Sequence, residues 1–131
     1  MEMPPKPSLH HAALTQRVIG LAIDVHRGLG PGLLESAYEA CLCAELAEAG
    51  IRFTRQVTLP IIYKSVRLER AYRLDIVVNA TLIVEVKAVD RLLPVHDAQL
   101  LTYLRLTNYP VGLIFNFNSA VLTHGIRRLV L

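Results

Sequence analysis

Two carboxylates and one ammonium interrupt two segments near the middle of the chain that are otherwise strongly apolar. Asp75 lies within the segment Arg73–Val78, and Glu85 and Lys87 lie within Leu82–Lys87. Segments that are apolar on both faces are typical of strands buried in the centre of a sheet. A charge buried there costs free energy unless a partner compensates it. These three charges therefore call for an explanation in terms of function.

The length of the loop between the two segments decides whether the carboxylates meet. With a three-residue loop, Val78 pairs with Leu82, and Asp75 then lies directly opposite Glu85 on the same face. A two-residue loop would place Asp75 opposite Val84 and send the carboxylates to opposite faces of the sheet. The hydrophobic pattern favours the first register. It collects on the other face the apolar residues Leu74, Ile76, Val78, Leu82, Val84 and Val86.

The predicted pair has the composition of a metal-assisted phosphodiesterase site. Directly opposed residues have Cα atoms roughly 4.5 to 5.5 Å apart, so that Asp75 and Glu85 must share either a proton or a divalent cation. Their oxygen atoms suit Mg²⁺ or Mn²⁺ as the cofactor. Lys87 follows on the same strand face, where its ammonium can orient water or stabilise charge on a phosphate. The three residues thus predict metal-dependent hydrolysis of phosphodiester bonds.

The surrounding elements predict an α/β domain with a mixed sheet. Apolar residues at helical spacing indicate helices at Thr15–Arg27, Leu33–Ala49 and Val95–Leu106. Residues rich in Val, Ile and Thr indicate strands at Phe53–Tyr63, Val66–Val78, Thr81–Ala88, Val111–Asn118 and Val121–Leu131. We expect residues 1–12 to form a flexible tail and residues 13–131 to form one domain.

Composition excludes several broad classes. Of 131 residues, 53% are hydrophobic and 19% charged, which excludes disorder for most of the chain. No run of about eighteen apolar residues and no signal-peptide pattern is present, so we expect no membrane segment. Cys41 and Cys43 lack companions at metal-ligand spacing and are expected to be reduced, which fits a cytoplasmic protein.

Three motifs carry a resemblance to a known superfamily. Asp75 followed by Glu85-Val86-Lys87 resembles the signature of the PD-(D/E)XK nucleases, although Leu74 stands where the name expects proline. Gly32–Tyr38 spells G-x-x-E-x-x-Y and resembles the family named for that motif, which is placed in the same superfamily. Gln99–Tyr103 is similar to the Q-x-x-x-Y motif of its exonuclease-like branch. The resemblance implies a restriction-endonuclease-like fold with an αβββαβ core and a nuclease that uses Mg²⁺ or Mn²⁺.

The same resemblance implies roles for residues on the helices. Glu35 would add a third carboxylate to the metal, and Tyr38 would contact substrate from the same helix. The alternative for Glu35 is a solvated glutamate at a helix start, as expected for Glu39. Gln99 and Tyr103 lie four residues apart, so both can contact one phosphate or orient Lys87. The alternative for these two is a structural role at the edge of the core.

Basic residues are concentrated in the first predicted hairpin. Between positions 52 and 73, six positive charges face one negative charge, Glu69. Arg73, beside Asp75, is our candidate contact for a phosphate backbone. The alternative is that these charges protect an edge strand from aggregation. The net charge of +3 agrees with a nucleic-acid substrate, for which we expect DNA rather than RNA.

Two other functions stay open on the sequence alone. The fold can serve as a catalytically silent module that binds nucleic acid or protein, with the carboxylates kept as a structural network. It can also be one component of an assembly that is active only with its partner. We further expect a homodimer, which would enlarge the substrate surface of a small domain and cover apolar area.

Overall fold

A computed structural model describes residues 7–131, with side chains from residue 11 onward. Three α-helices, one short 3₁₀ helix and five strands make up this part of the chain. In chain order they are α1 Pro7–Leu29, α2 Glu35–Glu48, β1 Phe53–Tyr63, β2 Val66–Val78, β3 Leu82–Lys87, α3 Pro94–Thr107, β4 Val111–Asn116, the 3₁₀ helix Leu122–Gly125 and β5 Ile126–Val130.

The five strands form one mixed sheet in the order β1-β2-β3-β4-β5. All neighbouring strands are antiparallel except β3 and β4, which are parallel. Parallel neighbours need a crossover connection, and α3 is that connection. The predicted α/β architecture with an αβββαβ core is therefore confirmed.

The predicted register of the central hairpin is also confirmed, because Val78 pairs with Leu82. Strand pairing between β2 and β3 continues only as far as Ile76 and Val84. Beyond that point β3 remains paired with β4 as far as Lys87, whereas β2 turns away. The two strands thus separate at the position where the sequence places its two carboxylates.

Helices cover both faces of the sheet. On one face α1 and α2 pack over a large apolar cluster that includes Tyr38, Leu42, Ile76, Val84 and Phe115. On the other face α3 covers a smaller cluster formed by Leu74, Val77, Ile83, Leu100, Tyr103, Leu104 and Ile114. The centre of the sheet is consequently buried on both sides, which explains why β3, β4 and the end of β2 are largely apolar on both faces.

Leu74 lies on a different face from the one predicted. It packs with Val77 on the α3 side of the sheet and not with Ile76 on the opposite side. The pairing of β1 with β2 skips Gln56 and Asp75, and Gln56 has a left-handed φ of 52°. This local distortion interrupts the alternation of side chains between Leu74 and Ile76, which strict strand periodicity cannot anticipate.

The ends of several elements differ from the prediction. Helix α1 begins at Pro7 and not at Thr15, so it overlaps the expected tail at residues 7–12, whereas residues 1–6 lie outside the described residues. The last predicted strand is shorter, because Leu122–Gly125 forms a 3₁₀ helix before β5. Within residues 7–131, none of the helices combines the length and the apolar character needed to cross a membrane.

A glycine allows α3 to lie close to the sheet. The Cα of Gly112 in β4 faces Leu100 of α3, and a Cβ at this position would lie only 2.8 Å from Leu100 Cδ1. Leu100 is 1% exposed, so its side chain cannot move aside into solvent. The distance between α3 and the sheet therefore depends on the absence of a side chain at residue 112.

We predict that Gly112→Ala lowers the free energy of unfolding by about 1–3 kcal/mol, since the new methyl group overpacks a buried contact. Urea denaturation followed by circular dichroism measures the change. Gly20→Ala is the matched control, because a Cβ on Gly20 meets no atom within 4 Å. That helical substitution should raise stability by up to about 1 kcal/mol. Wild-type stability in Gly112→Ala would contradict the packing argument.

Candidate active site

The separation of β2 from β3 opens a cleft of about 510 Å³ on the side of α3 and the start of α2. Every site residue predicted from the sequence except Tyr38 lines it. The lining consists of Glu35, Thr58, Arg70, Tyr72, Arg73, Asp75, Glu85, Lys87, Gln99 and Tyr103. A second cavity of about 540 Å³ beside the turn from β2 to β3 has no carboxylate or lysine in its lining. The chemistry therefore points to the first cleft.

Asp75 and Glu85 bridge the two separating strands through their side chains. The backbone N–H of Asp75 donates to Glu85 Oε1 at 3.3 Å, and the backbone N–H of Val86 donates to Asp75 Oδ2 at 2.8 Å. Each carboxylate thus accepts a bond from the strand that carries the other. These bonds take the place of the backbone ladder, whose last pair is Ile76 with Val84, next to the two carboxylates.

Burial and mutual repulsion disfavour the charged forms of this pair. Burial, followed by the negative charge of Asp75, raises the pKa of Glu85 to about 8, and its side chain is only slightly exposed. Burial also raises the pKa of Asp75, while the Val86 N–H opposes that change. Two adjacent buried carboxylates with raised pKa values favour binding of either a proton or a cation.

Lys87 lies next to the carboxylates but forms no ion pair with them. It is the last residue of β3 and is half-buried. Its charge lowers the pKa of both Asp75 and Glu85, yet no salt bridge of Lys87 is found among residues 11–131. Lys87 therefore does not serve as the partner of a structural salt bridge to either carboxylate, and its ammonium is available to another anion.

Glu35 reaches the same cleft from the first position of α2. Its side chain is exposed, and Oε1 accepts the backbone N–H of Ala88 at 3.3 Å, one residue beyond Lys87. The described residues contain no group of three His, Cys, Asp or Glu side chains that could hold a metal ion. Glu35 consequently lies at the rim and does not form a three-carboxylate group with Asp75 and Glu85.

Tyr38 does not line the cleft, and the predicted substrate contact is wrong for this residue. Its side chain is 0% exposed and stacks on Phe117 with 4.6 Å between ring centroids. The hydroxyl donates to the Gly30 carbonyl at 2.6 Å and accepts the Leu33 N–H at 3.0 Å. Tyr38 thus fixes the glycine-rich loop that precedes Glu35, so it acts on the site only by positioning α2.

Helix α3 supplies the opposite wall of the cleft. Gln99 is exposed, whereas Tyr103 is 8% exposed and stacks on Tyr72 of β2 at 4.9 Å. Burial and the charges of Glu85 and Asp75 raise the pKa of Tyr103, and the Gln99 side chain has the opposite effect. The phenol is therefore a neutral hydrogen-bond donor at physiological pH. Tyr72 was not anticipated, since nothing in the sequence distinguishes it from a packing residue.

Glu39 lies behind the site and is the residue that sequence reasoning misjudged most. It was expected to be solvated, yet it is 6% exposed. Its Oε2 accepts bonds from Arg55 at 2.8 and 3.2 Å, and its Oε1 accepts one from the Gln56 amide at 2.7 Å. The negative charge of Glu39 also raises the pKa of Asp75. The sequence does contain one signal for a role of Glu39 near the site. It lies four residues after Glu35, so both side chains lie on one face of α2.

We predict that Glu39→Gln lowers the free energy of unfolding by about 1–2 kcal/mol, because a buried charge-assisted network that joins α2 to β1 is lost. Glu69→Gln is the matched control, since Glu69 also pairs with an arginine of the hairpin β1–β2. Its ion pair with Arg67 is exposed on both sides, so the expected loss is under about 0.5 kcal/mol. Chemical denaturation of both variants measures the difference. Equal effects would show that the Glu39 network is no stronger than a surface pair.

We predict that Glu85→Gln becomes progressively more stable than wild type between pH 4.5 and pH 8 in metal-free buffer. The folded protein holds a proton on Glu85 that the unfolded chain, with an ordinary pKa of 4.5, has already lost. Wild-type stability therefore falls as the pH rises through this window. Thermal unfolding in EDTA should show a relative gain on the order of 1–3 kcal/mol for the variant. A difference that does not vary with pH would contradict the raised pKa.

Comparison with known proteins identifies the family. The sequence model of the PD-(D/E)XK nuclease superfamily matches residues 12–129. Searches of curated proteins and of solved structures found no significant match. The matched span includes both carboxylates, the lysine, α2, α3 and α1 from residue 12 onward. The chain therefore belongs to the PD-(D/E)XK nuclease superfamily.

Proposed function

We propose that the protein is a divalent-metal-dependent nuclease that hydrolyses phosphodiester bonds in nucleic acid. One observation carries this proposal: Asp75 and Glu85 are joined across two separating strands, and beside them in an open cleft lies Lys87, whose ammonium has no acidic partner among residues 11–131. Membership of a nuclease superfamily agrees with it. The substrate would enter between α3 and the hairpin β1–β2.

The carboxylate pair fits a hard divalent cation such as Mg²⁺ or Mn²⁺. Asp75 and Glu85 offer oxygen ligands, and burial, more than their mutual repulsion, raises the pKa of Glu85, so that a bound cation would favour the carboxylate form. Mg²⁺ is usually held by one or two carboxylates and keeps several waters, so that a third acidic ligand is not required. When bound, such an ion polarises a phosphoryl oxygen and lowers the pKa of a coordinated water.

The other cleft residues would handle the phosphate and the attacking water. Lys87 orients the water or balances charge that develops on the phosphate. Gln99 and the neutral phenol of Tyr103 donate hydrogen bonds to phosphate oxygens from α3. Glu35, at the rim, accepts a hydrogen bond from water, and Arg73 contacts the nucleic-acid backbone. These roles follow from donor type and position in the cleft.

We also propose the narrower parts of the assignment. Two residues of the G-x-x-E-x-x-Y motif support membership of the group that it defines: Tyr38 holds the loop before α2, and Glu35 lies at the rim of the cleft. DNA is preferred to RNA on the superfamily resemblance. The free thiols of Cys41 and Cys43 support a reducing compartment such as the cytoplasm. Exposed apolar side chains at the tip of the first hairpin, among them Ile62 and Tyr63, support a homodimer.

A second candidate function is a binding module without catalysis. It is favoured by the hydrogen bonds that Asp75 and Glu85 already make to backbone N–H groups, which give both carboxylates a structural use. The unpaired Lys87 is less readily explained in this way, since a structural network would neutralise its charge.

We predict that the wild-type protein cuts nucleic acid in Mn²⁺ but not in EDTA, and that Asp75→Asn and Lys87→Met each reduce the rate at least about 100-fold. Asp75→Asn replaces a proposed metal ligand with a neutral amide, and Lys87→Met removes the ammonium but keeps an unbranched side chain that is only one atom shorter. The measurement uses labelled single-stranded, double-stranded and branched DNA together with RNA. Glu48→Gln, an exposed change on α2 outside the cleft, should retain full activity.

Two results would contradict this prediction. Metal-dependent cutting that survives both Asp75→Asn and Lys87→Met would exclude this cleft as the active site. Binding of nucleic acid with no cutting of any substrate would favour the binding module. A thermal shift with Mn²⁺ gives an independent readout, because stabilisation should occur in wild type and disappear in Asp75→Asn.

A further inference from the structure

The hairpin β1–β2 extends beyond the rest of the sheet as a two-stranded ribbon. Only residues 76–78 of β2 pair with β3, so residues 57–73, here called the arm, have no other strand neighbour. Leu59 pairs with Tyr72 and Ile61 pairs with Leu68. Three residues of β2, numbered 69–71, therefore lie opposite the single residue Pro60. Because proline has no N–H to donate, the bulge occurs where β1 cannot complete the ladder.

Arg70 occupies the middle of this bulge in an unfavourable backbone conformation. Its φ of 55° is left-handed, a region that glycine adopts freely and that costs free energy for a residue with a Cβ. The side chain is exposed and lines the cleft together with Asp75 and Lys87. The bulge thus places Arg70 in the wall of the cleft that contains the residues of the proposed chemistry.

The arginines of this hairpin divide into two classes. Arg55 is bound to Glu39, and Arg67 is bound to Glu69. By contrast, neither Arg70 nor Arg73 makes a salt bridge or a side-chain hydrogen bond to any residue from 11 to 131. The two arginines that line the cleft are thus the two whose charge the protein leaves unneutralised.

The aromatic residues of the cleft favour contact with phosphates and not with bases. Tyr72 and Tyr103 stack on each other, and Tyr103 is almost fully buried. Tyr103 therefore offers no free face as a platform for the unpaired bases that single-strand binding sites hold, and one face of Tyr72 is covered as well. A guanidinium presents a planar fork of N–H donors that matches the oxygens of a phosphate.

We propose that Arg70 is a substrate-binding residue whose guanidinium holds a backbone phosphate next to the bond that is cut. The inference rests on the proposed nuclease function and adds to it a residue that neither the sequence motifs nor the family match distinguishes. The bulge opposite Pro60 is the device that positions the side chain. Since phosphates carry no sequence information, this contact contributes affinity without base preference.

Arg70→Gly tests the proposal without disturbing the fold. Glycine accepts the positive φ, so the bulge remains and the melting temperature should stay equal or rise. Affinity for a labelled DNA duplex, measured by fluorescence anisotropy in the Lys87→Met background so that the duplex stays intact, should fall about tenfold at 100 mM salt. The slope of log K against log salt concentration should become less steep by the amount that corresponds to about one phosphate contact.

Two further variants separate a direct contact from a general effect of charge. Arg67→Ala removes the same charge from the same strand, but its guanidinium is held by Glu69, so affinity should change less than about twofold. Arg70→Lys keeps the charge and loses the planar fork. It should retain the salt slope and recover part of the affinity.

The outcomes distinguish this proposal from the proposed function. If Arg70→Gly binds as tightly as Arg67→Ala with an unchanged salt slope, the Arg70 inference is overturned, whether or not the wild type cuts. The inference is also overturned if Arg70→Gly lowers the melting temperature and the loss of affinity is explained by the fraction of unfolded protein. If the wild type binds duplex but cuts no substrate, nuclease activity is refuted, and the binding data alone decide the role of Arg70.

Discussion

The reciprocal hydrogen bonds of Asp75 and Glu85 hold β2 and β3 together at the point where their backbones separate. The cleft exists because the strands part there, and the strands can part because side-chain oxygens satisfy the N–H groups that the ladder leaves free. The same geometry places the two acidic side chains of Asp75 and Glu85 next to each other in a buried position. The hydrogen bonds that join the two strands and the crowding of two acidic groups in the cleft therefore have one origin.

Support for this pair comes from two helices on opposite faces of the sheet. Glu39 of α2 binds Arg55 and Gln56 of β1, which fixes the strand segment opposite Asp75. On the other face, α3 approaches through the contact of Leu100 with Gly112. The rim residue on α2 and the donors on α3 are thus held by independent contacts, and each wall of the cleft has its own anchor.

Strand periodicity was sufficient to predict the register of β2 and β3 and hence the meeting of Asp75 with Glu85. It failed for Leu74, because the alternation breaks at Gln56, a residue type that gives no sign of a left-handed backbone. On α2 the helical spacing indicated which residues share a face, but not whether that face meets solvent or β1. Glu39 was misjudged for that reason, whereas Tyr38, assigned to the substrate by the resemblance, packs on Phe117 in the core. Pro60 was a visible signal for the bulge that positions Arg70.

The order of strands in the sheet follows their order in the chain. Antiparallel neighbours are joined by short connections, so that closing their loops costs little conformational entropy. The exception is the parallel pair, in which Leu82 meets Val111 only after the chain has passed through α3. The largest entropic cost of loop closure in the sheet therefore belongs to the segment that also delivers Gln99 and Tyr103. The α3 wall of the cleft consequently becomes ordered together with the pairing of β3 and β4.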